Sequence, residues 1–191
     1  LLLGLIVAAV AVLLPPAEPL TVAVALLVLV TLAVGLTLGF LGFEGAMATF
    51  GEAPTNLLYT AHKTGGVAIL ALMLVRVVVR LTRGKPSHDP PLPRPHRIVS
   101  EAVHGTLYLV LIAMPVVGWL ATAAGGFPVQ FFHWNLPGLI GEDDALSEQL
   151  YQWHAILGWL ILALAAVHIS AAVYHWRIRR DGVMQRMSLF R

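Results

Sequence analysis

The chain has 191 residues, of which 58% are hydrophobic and 12% charged, and its mean hydropathy is +0.81. A soluble domain carries roughly twice that charge fraction, so the composition excludes a water-soluble fold and selects one all-α membrane domain with lipid as its solvent. The absence of cysteine excludes disulfides, iron–sulfur clusters, thiolate zinc sites, covalent haem attachment and thiol catalysis within the chain, leaving eight histidines as its soft ligands.

In chain order, the first apolar run, 1–14, begins at Leu1 rather than Met and reads as a partial spanning helix, with an uncleaved signal-like segment as the alternative. It stops at Pro15-Pro16-Ala17-Glu18-Pro19. A second run, 20–43, is long enough to cross a hydrocarbon core of about 30 Å. A Gly-rich loop with Glu44 and Glu52 follows. The third run, 56–82, leads into a connector too rich in proline for helix or sheet, Pro86 to Pro95. The fourth, 98–124, contains Pro115, which predicts a kink. The loop from Gly125 to Gln149 carries four acidic residues and the interface-type aromatics Phe131, Phe132 and Trp134. The last run, 150–177, completes a four-helix transmembrane bundle beside the partial N-terminal helix.

Six of the twelve basic residues lie between Arg76 and Arg97, and five lie from Arg177 to Arg191. The positive-inside rule makes both segments, and hence the C-terminus, cytoplasmic. Charge grouped in this way at the membrane surface does not suggest a nucleic-acid partner, despite the net charge of +2.

An ionisable side chain within a membrane helix is costly and calls for a partner or a purpose. His62, His104, His154 and His168 all fall inside predicted spans. His154 and His168 are fourteen residues apart, which on one helix is about 21 Å along the axis and about 40° short of whole turns. Gly158, Ile161 and Ala165 lie on the stripe between them, leaving room for a flat macrocycle. Zinc is a poor reading because its ligands converge on one point. His62 shares the outer level with His154, so bis-histidine ligation of a b-type haem between them is the natural inference. The stripe of His62 continues through Gly66, Ile69 and Met73 to Arg76, which is either a topology anchor or a partner for haem propionates. The bland alternative is that each histidine merely hydrogen-bonds a neighbouring helix. His88, His96 and His133 read as solvated loop residues, and His175 as a residue of the membrane surface or of a quinone site.

The stretches Ala61-His62-Lys63-Thr64-Gly65-Gly66, His104 to Tyr108, Ala113 to Trp119, Trp153-His154, Val167 to His175 and Asp181 to Met187 together resemble the bacterial di-haem cytochrome b-561 family. That family is related in plan to the cytochrome b subunits of formate dehydrogenases and hydrogenases. The resemblance covers about Leu20 to Met187. It implies four helices, an outer haem on His62 and His154, and an inner haem on His168 and a histidine near the start of the first bundle helix. This chain departs there, with Leu20-Thr21-Val22 where the family has Leu-His-Trp. Three arrangements follow for the inner level: His104 supplies the second imidazole, the haem is five-coordinate, or the site is empty.

The resemblance further implies electron transfer with the quinone pool, and in some members superoxide oxidation at the outer face. A second reading is an accessory subunit of a larger respiratory or photosynthetic membrane complex, with Lys63, Tyr59, Trp153 and the aromatic loop as docking surface; Lys63, beside His62, is also a candidate for cofactor contact. The broken helices and paired repeats of a transporter are not seen, and the spans hold no acid–base pair for hydrolysis.

Overall fold

The computed structural model describes residues 17–83 and 94–180. The 1–14 run, most of the proline connector with His88, and the Asp181 to Met187 motif fall outside them. Four long helices carry the described fold: α1 (Ala17–Phe50), α2 (Glu52–Arg83), α3 (Arg94–Ala124) and α4 (Asp144–Tyr174), the last continued by a π-helical turn, His175–Arg179. All four are long and apolar enough to cross a membrane. Many of their large side chains point outward, among them Leu26, Val30, Phe40, Leu57, Leu109 and Ile156. In lipid that is the solvated face, because hydrocarbon imposes no penalty on it.

Consecutive helices pack side by side, and α4 returns to touch α1, closing the ring. With the end of the bundle that carries the α3–α4 loop named the outer end, the core of the opposite, inner half is small: Val24 from α1 meets Ile69 and Met73 from α2, with Tyr108, Leu111 and Ile112 of α3 against them.

The helices exceed the predicted spans at most of their ends. The first was expected to stop near Phe43, and its regular geometry breaks at Gly42, where φ is +65° and ψ 179°. That left-handed value is open to glycine at little cost. A second short stretch then carries the chain to Phe50, so the expected acidic loop is mostly helical. Gly51, with φ +81°, makes the turn into α2. α3 starts at Arg94, so His96 stands exposed in its first turn rather than in a loop. α3 also runs unbroken through Pro115.

The outer loop between α3 and α4 is more ordered than a polar connector. Val129–Phe131 and Trp134–Leu136 form an antiparallel hairpin, with Phe131 opposite Trp134. Three residues on one stripe of α2 hold it. Thr60 Oγ1 donates to Gln130 Oε1 (3.2 Å), Lys63 Nζ to the Pro128 carbonyl (3.0 Å), and the Phe132 amide to Thr64 Oγ1 (2.9 Å). On the far side, Asp143 caps α4 by accepting from the Leu146 amide, and buried Ser147 donates to the Ala121 carbonyl.

Candidate cofactor site

Helix α2 enters the bundle at Glu52 and α4 at Asp144, and each places a histidine ten residues further on. His62 and His154 therefore reach the same depth, about 15 Å below the helix starts. Their rings face each other across the bundle with centroids 5.9 Å apart and planes at 81°.

Each ring is seated by a neighbouring helix in the same way. His62 Nδ1 lies 3.1 Å from the Thr31 carbonyl of α1, and His154 Nδ1 lies 3.2 Å from the Met114 carbonyl of α3. A carbonyl can only accept, so in both rings Nδ1 carries the proton and Nε2 is the nitrogen left for a metal. One turn beyond each carbonyl is a glycine. A Cβ on Gly35 would stand 2.6 Å from His62 Cε1, and one on Gly118 would stand 2.7 Å from His154 Cε1. Both glycines thus admit an imidazole against bare backbone. A further glycine, Gly65, brings α2 onto α1: a Cβ there would collide with the buried Thr31 side chain.

Between the two rings lies a small opening, a cavity of about 50 Å³. All four helices line it, with Val28 and Leu32, Gly66 and Ile69, Leu111 and Pro115, and Ile161 beside the histidines. The wall is apolar apart from the imidazoles and the Thr31 hydroxyl. Gly66 and Ile161 were expected on these stripes; Met73 lies deeper in the core and Gly158 packs against Met114.

A second pair of imidazoles sits at the inner level. His104 of α3 and His168 of α4 have centroids 5.1 Å apart and planes at 86°. His104 Nδ1 is 2.6 Å from the Ser100 carbonyl. Beside them, Arg76 is held by three aromatic and hydroxyl contacts. Its Nε donates to Tyr108 Oη (2.8 Å), its Nη1 donates to Thr21 Oγ1, and its guanidinium lies 5.5 Å from the centre of the Tyr108 ring. Arg80 approaches the same ring at 5.1 Å.

Of the candidate residues, His62 and His154 are thus brought together at one level, and His104, His168 and Arg76 at the other. Lys63 is committed to the hairpin carbonyl instead of projecting between the rings. His133 stands exposed in the hairpin turn, and His175 opens the π-helical turn beside Tyr174. Among the described residues no three His, Asp or Glu side chains converge on one point, so a polydentate metal site of zinc type is not formed. The carbonyls of Thr31 and Met114 could not be read from sequence, because the backbone supplies them. Gly35 gave only a weak signal, a glycine in an apolar run four residues from a threonine.

The sequence profile described as "Prokaryotic cytochrome b561" matches residues 22–188. The chain belongs to the prokaryotic cytochrome b561 family. It is 28% identical over 127 residues to "Cytochrome b561 homolog 2" of Escherichia coli strain K12, covering 66% of this chain and 68% of that protein. It is 26% identical over 129 residues to "Probable superoxide oxidase CybB" of Yersinia pestis, covering 66% and 72% respectively. "Cytochrome b562" of Cereibacter sphaeroides is 28% identical over 134 residues, 70% of each chain. Membership makes this a multi-pass bacterial membrane cytochrome of b type, residing in the lipid bilayer and working in electron transfer. The residues present fit the haem that the family implies. Metal–imidazole bonds are about 2 Å long, so two ligating nitrogens on one iron stand about 4 Å apart and the ring centres further still. The ring centres of the outer pair, 5.9 Å apart, are close to what that requires, and the carbonyl on each Nδ1 is the usual way of fixing a metal-bound histidine.

Proposed function

We propose that the chain passes electrons between the quinone pool and a partner at the outer face of a bacterial inner membrane, with His62 and His154 as the residues that would hold a haem at the outer level. The observation that supports it most is the matched seating of the two rings, a carbonyl at one position and a glycine one turn beyond. A histidine that merely satisfies itself needs the carbonyl but not the opposing imidazole across an apolar opening. Bound there, a b-type haem supplies a one-electron carrier whose potential the protein sets through ligands, burial and hydrogen bonds.

The chain's own residues do the rest. Thr31 and Met114 hold the imidazoles at a fixed rotation. The apolar wall excludes water from the iron ligands and lowers the local dielectric. Arg76, fixed by Tyr108 and Thr21, offers a positive charge at the inner level. The likeness to a relative named a probable superoxide oxidase makes superoxide the first candidate donor at the outer face.

The test is anaerobic mixing of the purified cytochrome with a short-chain ubiquinol or, separately, with superoxide, following the α-band. Reduction by superoxide and reoxidation by the quinone support the reading. A haem protein inert to both quinol and quinone would overturn the quinone link, and an undiminished haem content in both His62→Ala and His154→Ala would overturn the ligand assignment.

A further inference from the structure

Resting on the outer-haem reading, we infer that the inner level of this chain holds no haem. His104 and His168 meet there directly, as a clasp between α3 and α4, and Arg76 with its partners fills the space that a macrocycle would need. The family plan expects an inner haem on His168 and a histidine of the first helix, yet residues 1–61 contain no histidine. The disagreement lies in the packing as well as in the missing ligand.

Two imidazoles on one iron need metal–nitrogen bonds of about 2 Å each, which sets their ring centres about 6 Å apart. The outer centres, at 5.9 Å, meet this; the inner ones stand closer, at 5.1 Å with planes at 86°. That distance and angle are those of an edge-to-face aromatic pair in direct contact. The seating differs too. Each outer ring takes the carbonyl of a neighbouring helix and lies against a glycine, whereas His104 takes the Ser100 carbonyl, one turn back on its own helix. No described glycine has either inner ring among its nearest neighbours. The outer rings also share an opening lined by all four helices.

At the inner level the corresponding space is taken by protein. Arg76 lies fourteen residues beyond His62 on α2, as His168 lies fourteen beyond His154 on α4. Arg76 therefore reaches the depth of His168, on the same face of α2 that carries His62. Tyr108, one turn beyond His104, accepts from Arg76 Nε, and Thr21 of α1 accepts from its Nη1. The Arg80 guanidinium lies 5.1 Å from the centre of the Tyr108 ring. Buried Val24, Ile69 and Met73 pack against the same tyrosine. A macrocycle at this level would have to break both hydrogen bonds of Arg76 and open that core, and a charge within a membrane helix is costly without its partners. Electrons then enter and leave at one level, so the outer-face partner and the quinone exchange with the same haem.

The experiment saturates the full chain with haemin in detergent and removes the excess by gel filtration. Haem per chain is then measured by the pyridine haemochrome assay, with electron paramagnetic resonance and a potentiometric titration. One haem per chain and a single one-electron wave are expected. His104→Phe and His168→Phe should each keep that haem and its low-spin signal, which also reports that the variant is folded. Each should lower the midpoint of thermal unfolding, and in the double variant the two losses should be less than additive, as for residues in contact. His62→Ala should lose the haem or turn it high-spin. Two haems per chain, or a second wave, would overturn the inference while leaving the outer site standing. A single haem that His168→Phe removes and His62→Ala retains would overturn the inference and the outer-site reading together. A chain that takes up no haem would overturn the outer-site reading alone.

Discussion

Gly35, Gly118, Gly66 and Gly39 are alike in composition and differ in what surrounds them, and the difference predicts three outcomes for the same methyl group. At Gly35 and Gly118 the added Cβ would stand 2.6 and 2.7 Å from an imidazole carbon, so the ring has to leave its carbonyl. Overpacking of this kind costs about 1–3 kcal/mol, and here it falls on the metal ligand. Gly35→Ala and Gly118→Ala should each lower the haem-to-protein ratio and shift or broaden the low-spin bands. Gly66 has nothing within 4 Å of its would-be Cβ but lines the opening. Gly66→Ala should therefore leave the apoprotein as stable as before and weaken haem retention on dilution into detergent. Gly39, with equally open surroundings and an exposed position, is the control. Gly39→Ala should be neutral or stabilising by up to about 1 kcal/mol through helix propensity. Haem content and thermal unfolding in detergent, measured on all four variants, check the set; equal behaviour at Gly35 and Gly39 would remove the seat argument.

At the scale of elements, the shared level of His62 and His154 was legible because helix periodicity is rigid: each lies a turn or two inside the outer end of its apolar run, and fourteen residues on α4 separate His154 from His168 in depth. The His104–His168 meeting was legible only as one of three possibilities, since the choice turns on how α3 is rotated against α4, which tertiary packing decides. The short helix beyond Gly42 and the outer hairpin were not legible. Strands of three residues carry too little alternation to read, and the hairpin turns through Phe132 at φ +54°, a value that aromatic residues seldom adopt. What holds that strained turn is α2, through Thr60, Lys63 and Thr64 on one stripe. Removing two of those contacts in Lys63→Ala/Thr64→Val should raise amide hydrogen exchange across 129–136 by roughly tenfold or more, since each such bond contributes about 1 kcal/mol. Haem content should stay the same, because neither side chain lies among those lining the opening between His62 and His154. A loss of haem in this variant would return Lys63 to the cofactor.

For the whole molecule, the decisive quantity is which side of the membrane the outer level faces, because that sets which partners meet the haem there first. Basic residues concentrate at the two inner ends of the bundle, six from Arg76 to Arg97 and five from Arg177 onward, whereas the loop from Gly125 to Gln149 carries Glu142, Asp143, Asp144 and Glu148 and no Lys or Arg, and Lys63 is the one basic residue near it among the described residues. An arginine at the centre of a spanning helix costs about 2.5–3.5 kcal/mol on insertion scales, so clusters of this size hold their side against translocation. The hairpin should then lie on the periplasmic side and both termini of the four-helix bundle in the cytoplasm. The chain offers a clean background for the test because it contains no cysteine. Phe132→Cys, in the exposed hairpin turn, should react with a membrane-impermeant maleimide in intact spheroplasts. His96→Cys, exposed in the first turn of α3, should react only after the membrane is opened. The reverse pattern would invert the bundle and place the His62–His154 level toward the cytoplasm. It would also remove the periplasmic face from which a superoxide-type donor is proposed to reach it, while leaving the pairing of the histidines untouched.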